Sequence, residues 1–455
     1  MSRIERDALG ERELPGDACY GLQSLRAREN FALGYKRTDP RLIRAMVLIK
    51  KAAALSYQGI AASGKDPVPG DGEKFRAIAA ACDRVLDGEA ADMFIVDALQ
   101  GGAGTSTNMN VNEVIANIAL SICGRDYGQY EYIHPLDDVN RGQSTNDVYP
   151  TALRIAAIGL LRELSDDCAK LQEVLQKREN EFGDIKKPGR TELMDAVPVT
   201  LGEEFGAYAQ AIGRDRWRLY KAEERLRQVN LGGTAVGLGN NAERRYRYAV
   251  IENLRELTGM GLAPAEYPMD ITQNNDVFVE VSGLLKALAV NLMKIAGDLR
   301  LMNSGPGAGL GELQLAPLQA GSTIMPGKVN PVIPEMTIQA AIRVIANDQA
   351  VTLAASRGEF ELNSFLPLIA DALLESLSLM CRTVSLFRTK GLEGLVPNRQ
   401  RCAALLESSC VFAAAYVPIL GYDRVSAIVT EHGGSPARCR ELLEAAAQAS
   451  RKKAR

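Results

Sequence analysis

The sequence predicts an all-α protein centred on a bundle of long helices. Between residues 273 and 303, Leu285, Leu288, Leu292, Ile295, Leu299 and Met302 recur at alternating spacings of three and four. This heptad-like stripe marks a helix face that packs in a core. From Tyr149 to Phe182 one helical pattern runs unbroken until Gly183. Two further helical stretches, 334–356 and 366–388, follow the stripe. Several long helices in mid-chain pack most simply as a bundle, and stripes this long also suit pairing between subunits.

Residues 1–40 read as mixed, because Gly10, Pro15, Gly16 and Gly21 interrupt any period. Residues 41–63 read as a helix. A Pro/Gly-rich linker, Asp66 to Gly72, separates it from a helix-like stretch at 73–98. Asn110 to Cys123 reads as a helix behind a glycine-rich loop. Residues 201–228 form another, before the breaker Gly232-Gly233. The composition shifts at Gly391 to Asn398. The chain thus divides into an N-terminal, mostly helical domain (1–140), a central helix-bundle domain (141–390) and a small C-terminal helical domain (391–455). No internal repeat is visible, and only the alanine-rich end is low in complexity.

Bulk properties fit an enzyme rather than a nucleic-acid or membrane protein. The chain has 455 residues, 46% hydrophobic and 24% charged, ordinary globular values. A net charge of -3 and a pI of about 5.8 leave no nucleic-acid footprint. The basic tail Arg451-Lys452-Lys453-Ala454-Arg455 reads as a solvated terminus. Met1 to Asp17 carries no apolar signal-peptide core, and no apolar run approaches a membrane span. The eight cysteines lack CxxC spacing, which fits reduced thiols in the cytoplasm. With only His134 and His432, a histidine metal site or a Ser-His-Asp triad is hard to assemble.

The most informative run is Gly321-Ser322-Thr323-Ile324-Met325-Pro326-Gly327-Lys328-Val329-Asn330-Pro331. Its glycines and prolines rule out a helix or a paired strand, so it is a loop. A lysine beside an amide suits a carboxylate. Ser322 would act as a base only where surrounding positive charge lowers its pKa.

Three other segments suit a small dicarboxylate. Gln100 to Asn110 contains Gly101, Gly102 and Gly104, then Thr105, Ser106 and Thr107, just before a helix. That is a workable anion cradle, although a glycine-rich turn alone is weak. His134 to Asp147 ends in Ser144-Thr145-Asn146, which alone reads as a helix cap. His134 itself reads as a surface or second-site residue rather than a base. Gly189 to Thr200 holds Thr191 and Glu192, which alone read as a charged helix start. A carboxylate there would also suit a cationic amine.

Together, and in this order, the four segments resemble the signatures of the aspartase/fumarase superfamily. The resemblance runs from Arg3-Ile4-Glu5-Arg6-Asp7 to at least Gly421-Tyr422. It implies a three-domain fold whose long helices form a twenty-helix core in a homotetramer, with each active site built from three subunits. It also implies reversible C–N or C–O cleavage in a succinyl compound, releasing fumarate with no metal or organic cofactor in the chemistry.

Within the superfamily, Leu25 to Phe31, Leu318 to Gly321 and Pro331 to Glu335 look like aspartate ammonia-lyases rather than class II fumarases. Fumarases carry a histidine at the position of Glu192, paired with a glutamate corresponding to Glu335. If Glu192 and Glu335 approach each other here, two carboxylates share a site and one holds a proton. A cationic substrate amine would relieve that repulsion, and water would not. Other departures are Thr323 for a serine, Gly307 for an arginine and Leu136 for an asparagine, along with a shorter C-terminus. They leave malate or an N-substituted aspartate open as the substrate, and a non-catalytic family member remains a further alternative.

The resemblance then assigns roles. Ser322 removes the C3 proton of aspartate, giving an aci-carboxylate. Thr105, Ser144, Thr145 and Thr323 donate to that carboxylate, each worth on the order of 2.7–4 kcal/mol. Lys328 and Asn330 hold the α-carboxylate. Asn146, Thr191 and Glu192 take the amino group, with Glu335 behind them.

Overall fold

The computed structural model describes residues 2–63 and 71–453. The expected linker from Asp66 lies outside these residues, apart from Asp71 and Gly72, which open a helix. The final two residues of the basic tail also lie outside.

The chain opens with a hairpin of β1 (Ser2–Asp7) and β2 (Gly10–Pro15), in register from Ser2↔Pro15 to Asp7↔Gly10. The sequence showed only breakers here, because six-residue strands leave too short a period to read. The Arg3 guanidinium pins the hairpin to the carbonyls of Pro15, Ala18 and Tyr20.

Helices then dominate: α1 (Leu22–Asn30), α2 (Pro40–Ala62), α3 (Asp71–Leu86), α4 (Thr105–Ile122) and α5 (Thr145–Glu181). Asp39 caps α2 by accepting from Arg41 N, and Pro40 opens it. The expected helix over 73–98 stops at Leu86. Gly88 and Ala90 take positive φ (103° and 57°), which ends the helical path, and a single 3₁₀ turn follows at Ala91–Met93. Helix α4 begins earlier than the apolar pattern indicates, at Thr105, and is buried without a break from Thr107 to Leu120. Helix α5, with 37 residues, is roughly 55 Å long.

A second hairpin, β3 (Lys186–Thr191) with β4 (Met194–Thr200), leads into α6 (Leu201–Leu226). Then come α7 (Arg244–Thr258), α8 (Pro268–Gln273), α9 (Asp276–Met302), α10 (Val332–Ala355) and α11 (Leu366–Leu386). The end is α12 (Arg399–Glu407), α13 (Val417–Leu420), α14 (Tyr422–His432) and α15 (Pro436–Lys453). All six residues of the predicted stripe on α9 are buried.

The chain forms two compact units. One comprises Met1–Leu164, Arg218–Lys286 and Arg343–Leu379. In it, α2 packs against α3 and α7, and α3 against α4. The Arg162–Glu223 pair joins α5 to α6, Lys286–Asp348 joins α9 to α10, and Asn347–Ser376 joins α10 to α11. The other unit comprises Ser165–Trp217, Ala287–Ile342 and Met380–Arg455. There Tyr208 donates to Asp298, and Asn291 to Asp215, across α6 and α9.

Helix α1 has no capping side chain of its own, since Gly21 stands at its start. Two buried carboxylates from elsewhere replace it. Glu113 of α4 accepts from the N–H groups of Gly21, Gln23 and Ser24 at 2.8–3.1 Å, and from the Ser24 hydroxyl. Glu5 accepts from Leu22 N at 2.8 Å. All four orphan donors of the helix start are thus satisfied. A Cβ at Gly21 would sit 2.7 Å from the Glu113 carboxyl, so glycine is required. Glu113→Ala would strand three N–H groups, those of Gly21 and Ser24 buried and that of Gln23 partly so. Its urea midpoint should fall by the equivalent of about 3 kcal/mol; an unchanged midpoint would remove Glu113 from this role.

Candidate active site

The residues singled out in the sequence fall into two groups, one in each unit. In the first unit, the turn before α4 runs through three left-handed residues, Gly102, Ala103 and Gly104 (φ 80°, 55°, 91°). A Cβ on Gly104 would lie 2.1 Å from the Tyr149 ring, so only glycine lets the turn close on α5. Thr105 follows, exposed, with its hydroxyl donating to Gly102 O at 2.7 Å. Donating to a ligand requires that hydroxyl to rotate.

Ser144 caps α5. Its Oγ accepts from Asn146 N at 3.2 Å, and its own N–H donates to Asp147 Oδ1 at 3.0 Å. This is a capping box with aspartate in place of glutamate. Thr145 Oγ1 accepts from Asn108 Nδ2 at 3.1 Å. Both hydroxyls therefore accept on the protein side and keep their protons for another partner. Asn146 gives its amide hydrogens to Ala235 O at 2.8 Å, and its Oδ1 accepts nothing among the described residues. A free carbonyl oxygen suits an ammonium.

Beneath these side chains lies a polar layer that sequence reasoning missed. The fully buried Lys50 donates to Asn140 Oδ1 at 2.8 Å and Gln143 Oε1 at 3.0 Å. Asp147 Oδ2 accepts from Gly232 N and Thr234 N, both at 3.0 Å. Burial pushes the Lys50 ammonium down to about 7, against the pull of Asp147. Burial likewise pushes Asp147 up to about 6, against its three backbone donors. The spacing of Ser144 and Asp147 was a readable signal for the box. Lys50 gave none, since a lysine in a helix is normally solvated.

In the second unit, Thr191 and Glu192 do not open a helix. They form the tip of the β3–β4 hairpin, with Glu192 and Leu193 as a two-residue turn at φ 53° and 65°. Positive φ at both positions matches a type I′ turn, which normally takes Asn-Gly. The base of the hairpin is held by charge. Lys187 Nζ is 2.8 Å from Glu204 and 2.7 Å from the buried Glu312, which also pairs with Arg190 at 2.8 Å. Glu192 lines a cleft of about 590 Å³ with Arg190, Tyr208 and Lys294.

The 321–331 run is a loop, as its composition predicts. Its neck is closed by Gly321 N donating to Lys328 O (2.8 Å) and Asn330 Nδ2 donating to Gly321 O (2.7 Å). A Cβ on Gly321 would meet Lys328 O at 2.5 Å. Within the loop, Ser322 Oγ accepts from Ile324 N at 3.1 Å and Met325 N at 2.9 Å. Donors aimed at a hydroxyl oxygen favour its ionised form. Thr323 and Lys328 are exposed. Lys328, Asn330 and Glu335 line a cleft of about 930 Å³, while Ser322 lies outside its wall. Glu335 has Arg300 as its neighbour, at 3.7 Å. It thus lines a different cleft from Glu192 and has its own cation. Among the described residues no cluster of His, Cys, Asp and Glu could hold a metal.

The sequence profile of the lyase family matches residues 10–346. The chain belongs to this family, within the aspartase/fumarase superfamily. This lyase is 46% identical to the aspartate ammonia-lyase of Pseudomonas aeruginosa, covering 94% of this chain and 89% of that one. It is 44% identical to that of a Bacillus species (94% and 90%) and 43% identical to that of Escherichia coli (95% and 90%). Its fold matches a fumarate lyase:delta crystallin from Brucella melitensis, solved bound to cobalt, with a TM-score of 0.91 at 42% identity over 99% of each chain. It matches a class II fumarase from Schistosoma mansoni equally well, TM-score 0.91, but at 29% identity over 97% and 95%.

Lys50 makes the lyase's stability depend on pH. Its folded value of about 7 lies below the ordinary 10.5. Between these values the unfolded chain binds more protons, so stability rises with pH there and is lost as pH falls through about 7. Lys50→Met lacks that gain. From about pH 7 to pH 9, wild type should gain on the order of 2 kcal/mol relative to the variant in denaturant unfolding. A pH-independent difference would mean that Lys50 titrates normally.

Proposed function

We propose that this lyase converts L-aspartate reversibly to fumarate and ammonia. The observation that carries the reading is Ser322 Oγ, held by two backbone N–H groups in a glycine-necked loop that also bears Lys328. In this reading the Ser322 alkoxide takes the C3 proton. The electron pair moves into the β-carboxylate, giving an aci-carboxylate with two negative charges. That pair then returns to form the C2–C3 double bond, the C2–N bond breaks, and ammonia leaves. Ser144, Thr145, Thr105 and Thr323 donate to the β-carboxylate, and Lys328 and Asn330 hold the α-carboxylate. Asn146, Thr191 and Glu192 take the amine, and Glu335 acts from behind. No metal or organic cofactor enters these steps. The 43–46% identity to aspartate ammonia-lyases, against 29% to the fumarase, supports aspartate over malate. So does Glu192, a carboxylate that makes no ion pair among the described residues.

We further propose a homotetramer with active sites completed by neighbouring subunits. Support comes from large apolar side chains left exposed on the long helices, among them Val290 and Leu301 on α9, Ile342 and Leu353 on α10, and Trp217 on α6. A cytoplasmic setting fits eight cysteines with no disulfide among the described residues. Among the described residues no single helix is long and apolar enough to cross a membrane.

Ultraviolet absorbance of fumarate tests the reaction. Aspartate should give fumarate and malate should not, and Ser322→Ala should lower kcat on the order of 10³-fold. Fumarate from malate alone would make the protein a hydratase. Silence with both would direct the search to N-substituted aspartates. Glu192→Gln should raise KM for aspartate roughly tenfold while the Ki of succinate, which has no amine, stays put. Equal changes in both would remove Glu192 from amine recognition.

A further inference from the structure

The hydrogen-bond polarity of Thr145 is dictated from the buried side. Asn140 Nδ2 donates to the Gln143 carbonyl at 3.2 Å, and Gln143 Nε2 donates to the Val139 carbonyl at 3.0 Å. A carbonyl only accepts, so both amides must turn their oxygens toward Lys50 Nζ, at 2.8 and 3.0 Å. Asn140 Oδ1 also lies 3.2 Å from the Asn108 amide, so Asn108 must present Nδ2 there. The same Nδ2 lies 3.1 Å from Thr145 Oγ1. Thr145 Oγ1 thus accepts inward, and among the described residues nothing accepts its proton.

We propose that Asn108, oriented by Asn140, is a positioning residue that keeps the Thr145 proton off the buried side and so available to a substrate carboxylate. A second observation supports it. Asn108 is buried, and its Oδ1 has no partner among the described residues. A buried carbonyl without a donor is costly. Leucine would fill the space without that cost. The asparagine is therefore present for its NH₂ edge, and that edge faces Thr145 and Asn140. A hydroxyl free to rotate would accept from a donor as readily as it gives to a carboxylate. Asn108 occupies one lone pair of Thr145 and bars the proton from the buried side, so the proton stays available to an oxygen whose charge grows during the reaction.

The inference rests on the proposed reading, in which Thr145 faces the β-carboxylate of aspartate. The test is a double-mutant cycle on the purified full-length enzyme, with aspartate as substrate. Thr145→Val and Asn108→Leu should each lower kcat/KM by roughly 10²–10³, mostly in kcat, because the donor matters most as the carboxylate becomes doubly charged. The double variant should be no worse than Thr145→Val alone, within about threefold. Thr145→Ser, which keeps the hydroxyl, should restore most of the activity. Losses that multiply, or an Asn108→Leu enzyme with wild-type kcat/KM, would overturn the proposal. If Asn108→Leu does not fold, Asn108→Asp replaces it in the cycle. Its oxygen in place of Nδ2 turns the Thr145 proton inward, and the same loss is expected. Wild-type enzyme silent with aspartate would overturn the functional reading together with this inference. Turnover by wild type with multiplying losses would overturn the inference alone.

Discussion

Asp147 shares its two oxygens among the N–H groups of Ser144, Gly232 and Thr234. These come from two chain segments more than eighty residues apart, and the carboxylate is their common anchor. Because Ser144 and Thr145 sit at the first turn of α5, the anchor sets where their hydroxyls stand. Lys50, buried beside this network, brings the opposite charge and orders the amides of Asn140 and Gln143. A buried ion with its partners satisfied rigidifies its surroundings, and breaking one partner is expensive. The hydroxyls of Ser144 and Thr145 are therefore held in place from beneath by the buried Asp147 and Lys50.

How much of this could be read from the sequence depended on the kind of signal. The α9 stripe is a repeated pattern over about five turns, and all six of its residues are buried. The 321–331 loop was readable because prolines and glycines exclude other structures. The β3–β4 hairpin was not. Its strands are six and seven residues long; β3 buries three consecutive residues, Lys187 to Gly189, and β4 buries none, so no alternation of apolar and polar residues marks them. Its turn uses Glu-Leu, which carries none of the usual turn chemistry. The helix-like stretch at 73–98 failed for a related reason: Ala90 adopts a left-handed conformation that no alanine announces. Ser322 and Lys328 stood out by residue type. Lys50 and Asn108 did not, because a buried polar residue is defined by what surrounds it, and those neighbours lie tens of residues away.

The two units solve a similar electrostatic problem with different means. In the first, the hydroxyls proposed to meet the substrate are backed by amides and a lysine. In the second, the Ser322 oxygen is backed by main-chain N–H groups of its own loop. Main-chain donors need no side-chain ordering, which suits a segment that is otherwise mostly exposed. The hydroxyls of Ser144 and Thr145 need oriented neighbours because a rotor has no intrinsic direction.

The tip of the β3–β4 hairpin sets two aims against each other over evolutionary time. Glu192 and Leu193 both hold backbone angles that glycine and asparagine adopt at little cost. Any screen that rewards folding alone would drift toward Asn-Gly at these positions, gaining resilience to heat. It would also erase the one carboxylate at the hairpin's end. On the proposed role of Glu192, consensus design applied blindly to this chain would improve the scaffold at the expense of amine recognition. In the proposed reading, the acidic side chain at position 192 is therefore held against a local conformational cost.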